Sequence, residues 1–190
     1  MAAPLVVVLM GVSGSGKTTV GQLLAERLDG TFAEGDAYHP PANVEKMRRG
    51  IPLDDADRQP WLETLSREIG NWLDAGRTVV LACSALRRSY REILRGGRPR
   101  VRFVHLKGDP ALIRARLAGR SGHYMPPSLL DSQIATLEEP KSALVIAIDG
   151  APEAIVAQIV SALRPAGGGC AESAQEPHRR SPDGPPTGRP

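Results

Sequence analysis

Apolar positions along the chain follow two distinct periods. Leu5-Val6-Val7-Val8-Leu9-Met10 is an unbroken, β-branched run of strand length, polar on neither face, which predicts a strand buried on both sides. The same reading places strands at Thr31–Ala33, Thr78–Cys83, Val101–Leu106 and Leu144–Ile148. Between them the spacing becomes helical. Val20, Leu23, Leu24 and Leu28 mark one helix, and Trp61, Leu62, Leu65, Ile69, Trp72 and Leu73 an amphipathic second, with Pro60 expected in its first turn. Further helices are expected over Leu86–Arg95, from Asp109-Pro110 through Leu117, and after Pro152, where Ile155, Val156, Ile159, Val160 and Leu163 recur. Strands alternating with helices predict an α/β, three-layer fold with a five-stranded parallel sheet flanked by helices. Both tryptophans read as core residues.

Beyond Arg164 the pattern stops, and Gly, Pro, Ser and charged residues take over. Residues 165–190 have too few apolar groups to order themselves and are expected to form a disordered tail behind one domain, residues 1–164. No internal repeat is visible. The net charge of +3 comes from 24 basic and 21 acidic residues, so charge is mixed. Aromatics make up only 4% and no basic block is interleaved with them, which argues against nucleic-acid binding. Cys83 falls in an expected strand and Cys170 in the tail, so no disulfide framework is visible and a reducing, cytoplasmic setting is expected. The first apolar run has no basic leader and is cut short by glycines, which fits neither a signal peptide nor a membrane span.

Those glycines carry the chemistry. Gly11-Val12-Ser13-Gly14-Ser15-Gly16-Lys17-Thr18 fits G-x-x-x-x-G-K-[ST] and lies between an expected strand and an expected helix, the context the motif requires. Glycines permit the tight turn in which successive N–H groups point at phosphate oxygens, and the following helix adds its positive end. Lys17 supplies a charge for the β and γ phosphates, and Thr18 a hydroxyl for Mg²⁺. Gly11, Val12, Ser13, Gly14, Ser15, Gly16, Lys17, Thr18 and Thr19 are thus the expected ATP cradle.

A phosphate loop alone does not separate a switch, a motor and a kinase. The expected third strand ends Leu81-Ala82-Cys83-Ser84, without an acid, whereas the second leads into Glu34-Gly35-Asp36. Asp36 would face the loop from a neighbouring strand, hold a Mg²⁺ water and accept a proton from a substrate hydroxyl. His105-Leu106-Lys107-Gly108-Asp109 resembles a guanine-reading element, but Leu106 replaces its polar first residue and no D-x-x-G occurs anywhere, so a regulatory GTPase is disfavoured and Asp109 reads as a helix N-cap. Arg116 and Arg120 lie four apart, on one helix face while helical, before the Gly- and Pro-rich stretch Ser121–Pro127. An arginine-bearing lid at about residues 118–128 would exclude water and offset charge on a transferring phosphoryl group. His39, His105, His123 and His178 show no metal-ligand spacing, so no zinc site is expected.

With these residues in place the chain resembles the gluconate kinases of the small, P-loop, adenylate-kinase-like type. The likeness is carried by Met10–Lys17, Gly35-Asp36-x-x-His39-Pro40, Asn43-x-Glu45-Lys46-Met47 and Gly50-Ile51-Pro52-Leu53-x-Asp55-x-Asp57-Arg58-x-Pro60-Trp61-Leu62. It continues through Cys83-Ser84-Ala85-Leu86, Tyr90-Arg91, Leu106-x-Gly108, Arg120-x-Gly122-His123-Tyr124-Met125 and Gln133-x-x-Thr136-Leu137-Glu138. The resemblance implies transfer of the ATP γ-phosphate to the 6-hydroxyl of D-gluconate, a homodimer, a helical substrate-binding part and a lid. It makes Arg58, His39 and Arg87 candidates for the gluconate carboxylate and hydroxyls, although Arg58 could instead be a helix-end charge paired with Asp54 or Asp55. Thr18 stands where Ser is common, and Arg87-Arg88 where lysines are usual. A shikimate-kinase-like enzyme, another small-molecule kinase and a catalytically silent ATP-binding protein are the alternatives.

Overall fold

Residues 3–119 and 128–163 of the chain are described by a computed structural model. The strands are β1 (Val6–Met10), β2 (Thr31–Glu34), β3 (Val79–Ala82), β4 (Val101–Lys107) and β5 (Leu144–Ala147). They form one parallel sheet in the order β2-β3-β1-β4-β5. The helices are α1 (Lys17–Arg27), α2 (Pro41–Arg48), α3 (Asp55–Asp74), α4 (Arg88–Arg95), α5 (Pro110–Ala118), α6 (Ser128–Thr136) and α7 (Pro152–Leu163). The three-layer expectation is met. Every residue of β1 is fully buried, and the strand's alternation divides the core. Val7 and Leu9 pack with Val20, Leu24, Ile113 and Ile159 beneath one face, and Val6, Val8 and Met10 with Trp61, Leu65, Ile69 and Leu94 on the other.

Several boundaries differ from the sequence reading, each for a local reason. The strand at β3 ends at Ala82, so Cys83 lies just beyond it, buried. Helix α4 begins at Arg88 rather than Leu86, because Leu86 is packed in the core and Arg87 is extended, with φ −93° and ψ 153°. Pro60 is the sixth residue of α3, not a first-turn residue, because Asp54 and Asp57 start that helix early with a reciprocal cap. Asp57 N–H donates to Asp54 Oδ1 at 2.8 Å, and Asp54 N–H to Asp57 Oδ2 at 3.1 Å. The carbonyl of Ala56 that Pro60 leaves without its helical donor is on an exposed residue, where water replaces the missing N–H. Helices α2 and α6 were not expected at all. Asp109 does cap α5, accepting from Ala111 N–H at 2.7 Å. The expected tail, Arg120, His123 and most of the expected lid lie outside the described residues.

In this topology the chain leaves the carboxyl end of β1 between β3 and β4, where the crossovers part to opposite sides, the usual ligand crevice of an open α/β sheet. Strand β2 is not the neighbour of β1 that the sequence reading expected for Asp36, because β3 lies between them; it ends in a 3-10 turn, Gly35–Tyr38, that is pressed against β3. A Cβ on Gly35 would stand 2.5 Å from the carbonyl oxygen of Ala82, and the Gly35 carbonyl accepts the buried Trp61 indole N–H at 2.8 Å. Overpacking here cannot relax into a flexible side chain. Gly35→Ala is therefore expected to lower unfolding free energy by about 1–3 kcal/mol, read from the denaturant midpoint; an unchanged midpoint would show that the turn has room the packing denies.

Candidate functional site

The turn after β1 is built by glycines in backbone regions that residues with a side chain rarely adopt: Gly11, Gly14 and Gly16 have φ of 143°, 82° and 90°. A Cβ on Gly14 would also meet Leu117 at 2.8 Å, so the loop lies directly against α5. Gly16 is the N-cap of α1 and brings no side chain to its first amides, which leaves them for an anion. Lys17 Nζ donates to the carbonyls of Gly11 and Val12, both at 3.0 Å, so the ammonium rests over the loop. The Ser15 hydroxyl is buried and has no hydrogen-bond partner among the described residues. Glycine geometry, capless helix, overhanging lysine and orphaned hydroxyl together fit a bound polyphosphate.

Thr18, the expected Mg²⁺ ligand, donates its hydroxyl to Glu34 Oε2 at 2.8 Å. Glu34 is the last residue of β2 and was passed over in favour of Asp36. Burial raises its pKa, and Asp36 adds to that, while the Thr18 hydrogen bond and Lys17 oppose it. A threonine hydroxyl and a carboxylate are hard oxygen donors that suit Mg²⁺, which takes one or two protein ligands and completes its shell from phosphate and water. Asp36 follows in the 3-10 turn, exposed.

Lys17, Asp36, His39 and Arg58 line one pocket, together with Ser13 and Gln133 and an apolar wall that includes Leu53 and Leu86. Four candidates from the sequence thus meet beside the phosphate loop. His39 is stacked on Trp61, ring centroids 4.2 Å apart and planes 14° apart, and its Nδ1 is 3.4 Å from Asn43 Nδ2. Burial pulls its pKa down to about 4, against the attraction of Asp36 and with help from Arg58. His39 is therefore a neutral hydrogen-bonding group at pH 7, not a second cation.

Arg58 and Arg87 flank the ring of Tyr90, with guanidinium carbons 5.7 and 5.9 Å from its centroid. Asp54 uses its carboxylate in the helix cap, and Asp55 accepts from Arg87 at 2.6 Å and from the Tyr90 hydroxyl. The helix-end alternative for Arg58 gives way to a contact with Tyr90 Oη at 3.4 Å. Arg87 does not line the pocket; it is paired with Asp55 and lies over the Tyr90 ring. Arg116 donates to the Ile148 carbonyl at 2.7 Å, tying α5 to the end of β5; a guanidinium has further N–H groups with which to reach a nucleotide. Arg120 lies outside the described residues. Sequence reasoning missed Glu34, Tyr90 and the loop contact of Gln133, whose partners are distant in the chain.

Comparisons with known proteins agree with this geometry. A protein-family model described as an AAA domain matches residues 6–140. A gluconokinase of Gluconobacter oxydans is 56% identical over 137 residues, 72% of this chain and 77% of its own length. The crystal structure of a sugar kinase from a Janibacter species superposes with a TM-score of 0.79 at 46% identity, covering 83% of this chain and 93% of the other. That of a gluconokinase from Sinorhizobium meliloti gives 0.75 at 42% identity, covering 85% and 92%.

The neutral state of His39 has a consequence for stability. Its pKa is about 4 when folded and near 6.5 when not, so between those values the unfolded chain binds more protons and stability rises with pH. The contribution is complete above pH 6.5 and is lost as pH falls toward 4. Thermal melts from pH 7 to pH 4 should show a steeper loss for the native chain than for His39→Gln; parallel curves would mean that His39 titrates normally in the fold.

Proposed function

The chain belongs to the gluconokinase family, and from that membership we infer that it transfers the γ-phosphoryl group of ATP to the 6-hydroxyl of D-gluconate, giving 6-phospho-D-gluconate and ADP. The observation that carries the reading is the single pocket shared by Lys17 of the phosphate loop with Asp36, His39 and Arg58. An ammonium for phosphate, a carboxylate, a neutral imidazole and a guanidinium line it, a set that suits one small anionic acceptor.

The proposed chemistry follows from these groups. The loop amides and the first turn of α1 hold the triphosphate, and Lys17, held over the loop by the Gly11 and Val12 carbonyls, reaches its β and γ oxygens. Mg²⁺ bound with ATP would supply charge neutralisation, and Thr18, Glu34 and Asp36 are the residues that would hold it. The gluconate carboxylate pairs with Arg58, whose guanidinium is steadied by Tyr90, and His39 bonds a hydroxyl of the chain. Asp36 accepts the proton of the 6-hydroxyl as its oxygen bonds to the γ-phosphorus and the bond to the β–γ bridging oxygen breaks. Arg116 and Arg120 close over ATP. Among the described residues no helix is long and apolar enough to cross a membrane; the working state is proposed to be a cytoplasmic homodimer.

A coupled assay with Mg·ATP and gluconate, shikimate, other aldonates or AMP should give gluconate the highest kcat/KM by a wide margin. Comparable rates with shikimate or AMP would refute the acceptor assignment. Asp36→Asn should lower kcat roughly 100-fold or more with the Kd for Mg·ATP little changed. Near-normal turnover of that variant would remove Asp36 from the chemistry.

A further inference from the structure

The mechanism above leaves Gln133 unused. This side chain comes from α6, yet its amide is bonded to a phosphate-loop residue 120 positions earlier. Gln133 Oε1 accepts from the Ser13 backbone N–H at 2.6 Å, and Nε2 is 3.2 Å from Ser13 Oγ as donor. The Ser13 N–H and the Val12 carbonyl are two ends of the same planar peptide group. At its other end, the Val12 oxygen accepts from Lys17 Nζ at 3.0 Å and from Ser15 N–H at 3.2 Å. One rigid unit is therefore held by Gln133 on one side and carries the Lys17 ammonium on the other. Donation from its N–H to Gln133 also polarises its carbonyl, which strengthens the bond to Lys17.

The support behind Gln133 is fixed. Leu137 packs against both halves of the core, and Glu138 N–H donates to the Leu86 carbonyl at 2.9 Å. The Glu138 carboxylate accepts from Arg88 N–H at 2.6 Å. The segment that delivers Gln133 is thereby attached to the loop between β3 and α4, whose Ser84 and Leu86 line the acceptor pocket. An amide is the side chain that matches Ser13 at both points, an acceptor for its N–H and a donor for its hydroxyl. Leucine or methionine fills similar space and offers neither.

The geometry points to Gln133 as a positioning residue for phosphoryl transfer, which acts through the Val12–Ser13 peptide to place Lys17 on the phosphates. This rests on the kinase reading given above, and deepens it. The test is a double-mutant cycle of Gln133→Leu with Lys17→Met on the full chain, read by calorimetric binding of a non-hydrolysable Mg·ATP analogue, together with steady-state kinetics of Gln133→Leu. If Gln133 acts through Lys17, Gln133→Leu weakens the analogue about five- to tenfold alone and less than about twofold beside Lys17→Met. Its kcat falls at least about tenfold while KM for gluconate stays within about threefold. Gln133→Met is the second variant should the leucine chain fail to fold. Equal weakening in both backgrounds, or a loss of binding that merely tracks a lowered melting temperature, overturns the proposal. Failure of the native chain to phosphorylate gluconate would sink the acceptor reading instead, since the binding cycle needs no acceptor.

Discussion

Strand β1 has no solvent-facing side, and its carboxyl end is the one place where the middle of the sheet opens. Five consecutive residues with no exposed surface bind the two halves of the core together. Burying them on both faces forces the chain to turn sharply at Gly11, under the carbonyl of Leu106, before α1 can begin. That turn points amides outward, and the sheet order brings the ends of β2 and β3 beside it. The positions of Glu34, Asp36 and Ser84 are consequences of strand register, since Glu34 pairs with Ala82 and Leu9 with Ala82. A scaffold rigid over this distance holds reacting groups in place without help from the substrate.

Charge in the site is arranged to suit anions without leaving cations stranded. Lys17 leans on two carbonyls, and Arg87 is neutralised by Asp55. Arg58 lies against the face and hydroxyl of Tyr90, which carry no formal charge to cancel its own. His39, held neutral by burial against Trp61, adds hydrogen-bonding capacity without adding repulsion toward Arg58. On the other side Glu34 and Asp36 bring negative charge near Thr18 that a divalent cation would balance.

Strands β1, β3 and most of β4 were legible because burial on both faces leaves short apolar runs, and the phosphate loop because its glycines and lysine sit at fixed spacing. Asp36 was a candidate from its place after the second strand, and His39 and Arg58 from the family resemblance; all three line the pocket beside the loop. What escaped depends on partners far along the chain. Glu34 gains its place from Thr18, and Tyr90 from Asp55 and Arg58. Arg87 was assigned to the acceptor because nothing local shows that Asp55, 32 residues earlier, takes it. The early start of α3 was hidden because its cap pairs two aspartates instead of a Ser or Thr with Glu. Helix α2 is eight residues long and buries a polar Asn43, so its periodicity is faint. Helix α6 has apolar positions at Leu130 and Ile134, continued by Leu137 just beyond it, but it follows a Gly- and Pro-rich stretch that reads as loop.

If the phosphate loop and the acceptor pocket work as one site, a primary hydroxyl attacks the γ-phosphorus. Phosphorus NMR of the reaction with Mg·ATP and gluconate decides this, because proton coupling reports the carbon that bears the new ester. The expected spectrum holds a monoester signal split by the two protons of a methylene group, growing in step with ADP. A signal split by a single methine proton, or inorganic phosphate in place of an ester, would contradict it.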